Sequence, residues 1–465
     1  MNTILRKVGV SLFAFWATSI FAAPIVTHVS AGYGHCLFVE SDGSLWGTGD
    51  NSHGQLGLGT NLTRTSVPVK IVASNVTTVA AGNIHSLFVK SDGSLWSMGD
   101  NTDGELGDGT FTNHFTPEEV VSTGVNTTSA GDNDSFFRTS AGRPPVETVS
   151  LWAMGFDNFG ELGDNRGQDS PTQEVIQTTQ SILNEVTTIA AGGEHTLFLR
   201  FNGSLWGMGA NDSGQLGDNA NMDSLTPEQI VASDVTSIAA GQNYSFFIKS
   251  DNTLWAMGYN QDGELGDRSF TNHLTPEEVA SNVVAAAAGT IHSLFIKTDG
   301  SLWVTGDDIY GQLGLGPYHP TLSPIQVVPS NVVAVAASDS NSYFIKSDGS
   351  LWGMGNNYFG ELGDGMGANG LFTIQPSPVR IVPPAPPQVI TGITFSGNNV
   401  ILSGTNGMMG GTYYTLTSTD MTLSVDQWTG VSTNILSGDG NFTIIATNAI
   451  NHAARQQFFI VQLLN

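Results

Sequence analysis

The sequence of 465 residues is poor in cysteine, in cationic residues and in long apolar stretches. Its one cysteine, Cys36, has no partner in the chain, so a packed core rather than disulfides must hold the fold. Only 12% of the residues are charged, and 15 Lys and Arg oppose 41 Asp and Glu, which gives a net charge of −26. A surface this acidic repels phosphate backbones, so nucleic acid is not expected as a partner.

Long apolar stretches are confined to the amino terminus, where Arg6 and Lys7 precede an apolar run over residues 8–21 and then Ala22. A basic start, a short apolar run and small residues are typical of a secretory signal peptide, predicted here as residues 1–22. No later stretch is long enough to cross a bilayer. We therefore expect a secreted or cell-surface protein with no integral membrane span after signal removal.

Signatures of catalysis are missing as well. There is no nucleophile elbow, no H-E-x-x-H and no phosphate-binding G-x-x-x-x-G-K. Acidic residues are numerous, but they recur in turns rather than in one constellation. We predict a protein that is not an enzyme, with no catalytic residue, no cofactor and no metal.

What the sequence has in abundance is repetition. A tryptophan recurs at intervals of 50, 56, 54, 49, 48 and 49 residues. These residues are Trp46, Trp96, Trp152, Trp206, Trp255, Trp303 and Trp352. Each is followed by a G-[QE]-L-G turn, as at residues 104–107. Self-similarity at this period indicates a repeat architecture.

Within one unit the apolar pattern has period two, as in residues 85–90 and 94–99. An Asp-Gly pair separates these two segments, which predicts a β-hairpin. One further strand is expected before the hairpin and one after it. Four short strands in about 50 residues are typical of a propeller blade. The predicted fold class is all-β, with a seven-bladed β-propeller over residues 25–382.

Tryptophan and methionine share one side of the third strand, as at Trp96 and Met98. Blades cannot bury their faces alone, so we predict that this side packs between blades. Thr48 and Thr305 replace Met in two units, a tolerable change of shape if those positions lie near a surface. The alternative is a ring of tryptophans that stack on a ligand, although an apolar stripe at strand spacing is usually core.

A histidine follows the sequence A-A-G-x-x in four units. These residues are His35, His85, His195 and His292, and the other three units have Asp134, Tyr244 and Asn341. Four imidazoles on one circle could bind a metal, but adjacent blades hold such positions far apart. We therefore predict a structural role for these histidines.

The turn at residues 100–108 has some features of a calcium loop but lacks its oxygen spacing and its distal Glu. The position before its Leu is Glu in four units and Gln in three. These residues are Glu105, Glu161, Glu264 and Glu361, and Gln55, Gln215 and Gln312. A metal site would not tolerate that change of charge, so none is predicted here.

The segment AAGNIHSLFVKSDGSLWSMGDNTDGELGDG resembles the regulator-of-chromosome-condensation repeat, seen also in alpha-tubulin-suppressor-like proteins. The resemblance covers about residues 25–382 and implies a seven-bladed propeller whose histidine hydrogen-bonds within its own blade. We expect a member of the exported bacterial type. One departure is that the family usually places Trp before the Gly of W-G-x-N, whereas this chain has Met98 there.

The resemblance implies two different functions. Nuclear members are guanine-nucleotide exchange factors that act on a small GTPase through a protruding wedge and one propeller face. Export would separate this chain from a cytosolic GTPase. A secreted β-lactamase-inhibitory protein of similar architecture implies instead that the scaffold can serve as an extracellular protein ligand.

The third unit is longer than the others. Its hairpin gains seven residues, within Ala141 to Glu147, when compared with the second unit. Inserted loops on a rigid repeat are common binding sites, so this segment is the candidate partner-binding loop; the alternative is a tolerated surface insertion. Its candidate contact residues are Arg143, Pro144, Pro145 and Glu147.

A proline-rich linker is predicted at residues 383–388 and a carboxyl-terminal β-sandwich-like module at residues 389–465. The module resembles one that recurs in exported bacterial proteins, which implies surface retention, sorting or glycan adhesion. We thus expect a monomeric, exported, non-catalytic scaffold that binds an unknown protein or glycan at the cell surface. The alternatives are an exchange-factor-like regulator and a hydrolase or lyase that acts on polysaccharide with carboxylates across the propeller mouth.

Overall fold

The computed structural model describes residues 25–143, 146–175, 186–367 and 373–381, and six strands between residues 389 and 464. The predicted signal peptide, the predicted linker and the Pro144–Pro145 pair lie outside the described residues. The chain divides into two compact units, Val26–Val382 and a second unit that contains Pro383–Asn465. No helix in the described part of the chain is long and apolar enough to cross a membrane.

The first unit is built from seven four-stranded antiparallel sheets, each made of four consecutive strands. The first strands are β1 (Val26–Ala31), β5 (Val76–Ala81), β9 (Val125–Ala130), β13 (Val186–Ala191), β17 (Val235–Ala240), β21 (Val283–Ala288) and β25 (Val332–Ala337). The second strands are β2 (His35–Glu40), β6 (His85–Lys90), β10 (Asp134–Arg143), β14 (His195–Arg200), β18 (Tyr244–Lys249), β22 (His292–Lys297) and β26 (Asn341–Lys346).

The third strands are β3 (Leu45–Asp50), β7 (Leu95–Gly99), β11 (Val146–Gly155), β15 (Leu205–Gly209), β19 (Leu254–Gly258), β23 (Leu302–Gly306) and β27 (Leu351–Asn356). The fourth strands are β4 (Arg64–Val72), β8 (His114–Val121), β12 (Ser170–Val175), β16 (Ser224–Val231), β20 (His273–Ala280), β24 (Thr321–Val328) and β28 (Ile374–Arg380). The first strands of neighbouring blades contact one another around the ring, including β1 with β25. The predicted seven-bladed propeller is confirmed.

The core lies between blades. In the cluster between blades 1 and 2, Leu37 and Leu56 of blade 1 pack with Phe88 and Met98 of blade 2, and Trp96 lies against them. The predicted packing of the Trp and Met side between blades is confirmed.

The two threonines do not lie near a surface, because Thr48 and Thr305 are buried. The Thr48 Oγ1 atom lies 2.9 Å from the Gly360 carbonyl oxygen of blade 7. The Thr305 Oγ1 atom likewise lies 3.0 Å from the Gly263 carbonyl oxygen of blade 5. A hydroxyl that reaches the neighbouring blade thus takes the place of the methionine.

The glycine of each A-A-G segment permits the close approach of the next blade. A Cβ atom at Gly82 would lie 2.6 Å from the Gly131 carbonyl oxygen of blade 3, too close for any other side chain. The same contact recurs at five other first-strand ends: Gly32, Gly131, Gly192, Gly241 and Gly289. Only blade 7 has another residue there, Ser338. The glycine is therefore a packing requirement of the ring rather than a turn residue.

The histidines join neighbouring blades. His35 Nε2 of blade 1 lies 2.9 Å from Ser86 Oγ of blade 2, and that hydroxyl donates to the Gln55 carbonyl of blade 1 at 2.8 Å. Since the serine proton goes to the carbonyl, His35 Nε2 must be the donor. The expectation of a bond within one blade was wrong; the same pair links His85 to Ser135, His195 to Ser245 and His292 to Ser342.

Burial keeps these imidazoles neutral. It lowers the pKa of His35 to about 3 and the pKa of His85, His195 and His292 to about 4. A neutral ring with Nε2 protonated is the form that the bond to the serine hydroxyl requires. The inter-blade bonds are therefore insensitive to pH across the neutral range.

The ring closes between blades 7 and 1 without exchange of a strand. Val26 N donates to the Gly349 carbonyl at 3.1 Å, and Cys36 packs in a shared core with Tyr343. At this junction the His–Ser pair is missing, because Asn341 and Cys36 occupy its two positions. Closure therefore combines this apolar core with the hydrogen bonds that Val26 and Thr48 make to blade 7.

The insertion in blade 3 is a continuation of strands rather than a loop. Strands β10 and β11 are paired as far as Arg143 and Val146 and contain 10 residues each, whereas the second and third strands of the other blades contain 5 or 6. The description of residues 141–147 as an inserted loop is corrected accordingly. A paired ladder makes this segment a long β-hairpin.

The second unit contains two three-stranded sheets. One has the order β29 (Val389–Ser396), β30 (Asn399–Thr405) and β33 (Phe442–Ala446). The other has the order β32 (Thr429–Ile435), β31 (Thr412–Ser418) and β34 (Phe458–Leu464). Their packing as a β-sandwich stays a prediction.

We predict that Ser86→Ala destabilises the protein by about 1–3 kcal/mol, because His35 Nε2 and the Gln55 carbonyl would both lose a buried partner. Thermal unfolding checks the value. Ser86→Thr is the matched control, since Thr196 of blade 4 makes the same contact to the Glu161 carbonyl of blade 3. Equal melting temperatures for wild type and Ser86→Ala would contradict the role of this bond.

Candidate functional site

The tryptophans are already engaged by residues of the protein itself. Trp96 stacks on Phe88 at 6.1 Å between ring centroids, and Lys90 Nζ lies 3.7 Å from the centre of its ring. Its Nε1 donates to Ser94 Oγ at 2.9 Å, and Ser94 in turn donates to Asp92. A cation also lies over Trp46, Trp206, Trp255, Trp303 and Trp352. These contacts favour the structural role over a ligand-stacking cage.

Trp152 differs from the other six. It stacks on Phe137 at 5.8 Å, but its Nε1 donates to Thr139 Oγ1 of the extended hairpin. The extended part of the blade 3 hairpin therefore begins directly beside Trp152. This tryptophan anchors the base of the hairpin in the blade.

The glutamates of the G-E-L-G turns are buried beside the same junctions. Glu105 Oε2 accepts the Asp103 N–H at 3.0 Å, as Gln55 Oε1 accepts the His53 N–H at 3.0 Å. Burial raises the pKa of Glu105 to about 7 and of Glu161, Glu264 and Glu361 to about 8. A protonated carboxyl has a donor and an acceptor, like a carboxamide, which explains why Glu and Gln alternate here.

We predict that Glu264→Gln stabilises the protein at alkaline pH but not at acid pH. Burial raises the pKa of Glu264 from 4.5 to about 8. Below pH 4.5 both the folded and the unfolded states hold the proton. Between pH 4.5 and 8 the unfolded state loses it first, so stability falls as pH rises, and the loss is complete above pH 8.

Urea unfolding at pH 5 and pH 9 measures this effect. The decrease in the free energy of unfolding between the two pH values should be smaller in Glu264→Gln by on the order of 2 kcal/mol. Asp299→Asn, at an exposed hairpin turn, is the control and should leave the decrease unchanged. An identical pH dependence in wild type and Glu264→Gln would show that the buried glutamate is ionised.

The candidate site is the central cavity at one end of the ring, with a volume of about 480 Å³. One residue of each blade forms its rim, which we call the channel mouth. It follows directly after an A-A-G or S-A-G segment, or after A-A-S in blade 7. These residues are Tyr33, Asn83, Asp132, Gly193, Gln242, Thr290 and Asp339. The repeat specifies the backbone here but not the side chain, so the rim residue varies from blade to blade and only Asp occurs twice.

The channel mouth is asymmetric. Gln242 Nε2 of blade 5 donates to Asp132 Oδ2 of blade 3 at 2.8 Å. Blade 4 has Gly193 between them, where a Cβ atom would lie 2.6 Å from Gln242 Nε2. The glycine thus leaves the space through which the glutamine reaches the aspartate.

The electrostatics of the channel mouth are acidic. Burial raises the pKa of Asp132, and the negative charge of Asp339 raises it further, although the bond from Gln242 lowers it. None of the residues that line the cavity is Lys or Arg. Asp132 and Asp339 thus face one cavity without a counter-charge.

The channel mouth and the candidate partner-binding hairpin lie on opposite faces. Strands alternate in direction, so the connections from first to second and from third to fourth strands lie on the mouth face. The hairpins between second and third strands, including the one with Arg143 and Glu147, lie on the other face. The backbone of Arg143 and Glu147 is described by the ladder, while Pro144 and Pro145 lie outside the described residues.

Asp134 takes the histidine position in blade 3. It is buried, and neither carboxylate oxygen has a hydrogen-bond partner. Burial raises its pKa well above the usual value, and Glu161 and Asp132 raise it further. Blade 3 therefore departs from the repeat at two points, its hairpin and this buried acid.

Two histidines on fourth strands each lie between two acids. His273 Nε2 is 2.7 Å from Asp267 Oδ2, and its Nδ1 is 3.5 Å from Glu277 Oε1. His114 contacts Asp108 and Glu118 in the same way in blade 2. In the described part of the chain, the blade 5 trio offers three potential metal ligands close together. Both ring nitrogens already face a carboxylate, so an ion would have to displace one of these contacts.

A closed ring of seven four-stranded blades with these glycine and histidine contacts defines an RCC1-like propeller. Two overlapping matches to the family model described as RCC1-like domain cover residues 16–266 and 76–402, so the chain belongs to that family. The resemblance seen in the repeats is confirmed, while the exported bacterial type stays a prediction.

Curated relatives match part of the chain. It is 32% identical over 204 residues to the probable E3 ubiquitin-protein ligase HERC3 of Homo sapiens, which covers 43% of this chain and 14% of HERC3. It is 28% identical over 209 residues to the ultraviolet-B receptor UVR8 of Arabidopsis thaliana, which covers 43% of this chain and 45% of UVR8. The chain thus spans less than half the length of either relative.

Solved structures agree with the fold. Yeast RCC1 (Prp20), determined bound to Kap60, superposes with a TM-score of 0.62 at 21% identity over 82% of this chain and 91% of that one. Human WBSCR16 gives 0.61 at 21% identity over 73% of this chain and 93% of that one. At these identities the likeness is one of fold.

Proposed function

We propose that this protein is a non-catalytic binding scaffold, exported and held at the cell surface, whose propeller engages a protein or glycan. The observation that carries the proposal is the extended hairpin of blade 3, in which β10 and β11 stay paired to Arg143 and Val146. A paired ladder anchored in a rigid ring presents side chains at lower entropic cost than a free loop. Arg143, Pro144, Pro145 and Glu147 are its proposed contact residues.

The hydrogen bonds made by the repeated polar side chains support a non-catalytic role. The histidines bond to serines of the next blade, and the turn glutamates pair with backbone N–H groups. A group that is buried and engaged in this way is not available to a substrate. Function is therefore proposed for the positions where the blades differ.

Shortening the hairpin tests the proposal. Replacement of residues 140–149 by Ser-Asp-Gly restores the spacing of blade 2 and should abolish retention of the partner from a cell-surface extract of the producing organism. The thermal transition should stay within a few degrees of the wild type, since Val149 is the one buried apolar side chain that the replacement removes from the described residues. Arg143→Ala and Glu147→Ala then locate the contact.

Retention of the same molecules by the shortened and the full-length chain would contradict the role of the hairpin. Turnover of a polysaccharide by the purified chain, or catalysed nucleotide release from a captured small GTPase, would replace the scaffold proposal by one of the two alternative functions.

Export is tested separately. The full chain should be recovered from the medium or the surface fraction, and a chain that lacks residues 1–22 should stay inside the cell. Removal of residues 383–465 should release the propeller from the surface into the medium if the carboxyl-terminal unit retains it. Cytoplasmic recovery of the full chain would contradict the export proposal.

A further inference from the structure

We propose that the channel mouth is a second binding site, which receives an arginine or lysine side chain from a basic segment of a partner protein. The site consists of Asp132, Asp339, Ser338 and Tyr33. It lies on the face opposite to the blade 3 hairpin, so it is independent of whether that hairpin binds a partner.

The first argument is charge. Asp132 of blade 3 and Asp339 of blade 7 face the same cavity, and each raises the energy of the other. Their present partners are neutral: Gln242 Nε2 donates to Asp132 at 2.8 Å and Ser340 Oγ donates to Asp339 at 2.6 Å. A cation in the cavity would relieve this repulsion without breaking either bond.

The second argument is a buried hydroxyl without a hydrogen-bond partner. Ser338 lines the cavity, is only 7% exposed, and its Oγ has no hydrogen-bond partner. It stands where six other blades have glycine, so its hydroxyl is an addition that the packing does not require. An ammonium or guanidinium N–H group would satisfy it, because these groups only donate hydrogen bonds.

The third argument is an aromatic surface at the rim. Tyr33 is 50% exposed, and its ring lies 6.4 Å from that of Phe359. On the same side of the ring, the Arg64 guanidinium already lies 5.7 Å from Phe359 and 5.8 Å from Tyr358. The aromatic rings between blades 7 and 1 thus already contact one guanidinium. The exposed half of the Tyr33 ring can contact a second cation.

The number of oxygen ligands favours a cationic side chain over a metal ion. Calcium needs six to eight oxygen atoms at about 2.3–2.6 Å, whereas this cavity of about 480 Å³ offers two carboxylates from blades 3 and 7. A neutral glycan would use the aromatic and amide groups but would leave the two charges unrelieved. The combination of two acids, a free hydroxyl and a half-exposed tyrosine fits a cationic side chain best.

The test is calorimetric titration of the full chain with a hexa-arginine peptide at 50 mM and 300 mM salt. The double variant Asp132→Asn/Asp339→Asn should weaken binding at least tenfold at low salt. Asparagine keeps an oxygen that can accept from Gln242, so the variant should fold. The matched control is Asp92→Asn/Asp299→Asn, which removes two charges from the opposite face and should change affinity less than twofold.

Tyr33 gives an independent readout. Tyr33→Ala should weaken binding several-fold, whereas Tyr33→Phe should retain it, because phenylalanine keeps the aromatic face that a cation contacts. Ser338→Gly should weaken binding while leaving the thermal transition unchanged, since glycine is the residue of the other blades at this position.

Three results would overturn the proposal. Equal weakening by the two double variants would show only general attraction to a chain of net charge −26. No binding of the peptide would exclude the site. Binding of calcium alone or of a neutral oligosaccharide, lost in the Asp132→Asn/Asp339→Asn variant, would assign the cavity to another ligand. The chain with the shortened hairpin should bind the peptide like wild type, so failure here leaves the hairpin proposal standing.

Discussion

The close contact between neighbouring blades is the constraint on which the rest of the structure depends. A Cβ atom on the glycine of one blade would lie too close to a carbonyl oxygen of the next, at 2.6 Å for Gly82 and 2.5 Å for Gly131. That approach brings His35 within bonding distance of Ser86 and encloses the turn glutamates. Glycine, histidine, serine and the turn residue therefore recur together, because each depends on the same inter-blade distance.

This constraint distinguishes positions that follow the repeat from positions that depart from it. Where the repeat is kept, polar side chains are buried, and the raised pKa of Glu264, about 8, lets its carboxyl replace a glutamine largely in the neutral form near pH 7. Where the sequence departs from the repeat, the side chains are not required by the contacts between blades. Blade 3 carries both kinds of exception, with an extended hairpin on one face and Asp132 on the other.

The two faces are chemically different for a simple reason. In five blades the second strand ends in a Lys or Arg that lies over the tryptophan, as Lys90 does over Trp96, so cations are held near the hairpin face. The mouth face carries the rim residues, which include two aspartates and no Lys or Arg at the cavity. The ring thus presents different chemistry on its two sides, an acidic mouth on one and the extended hairpin of blade 3 on the other.

Local pattern in the sequence was sufficient for the strands, the hairpins, the number of blades and the burial of Trp96 and Met98, because alternation and Asp-Gly turns act over a few residues. The local pattern was not sufficient to predict the packing of Cys36 where the ring closes, the histidine bonds between blades, or the channel mouth. Those features join residues about 50 or more positions apart, such as Gln242 and Asp132. Only the radial arrangement of the blades, set by their packing, brings such residues together, and a one-dimensional repeat cannot specify which side chains meet at its axis.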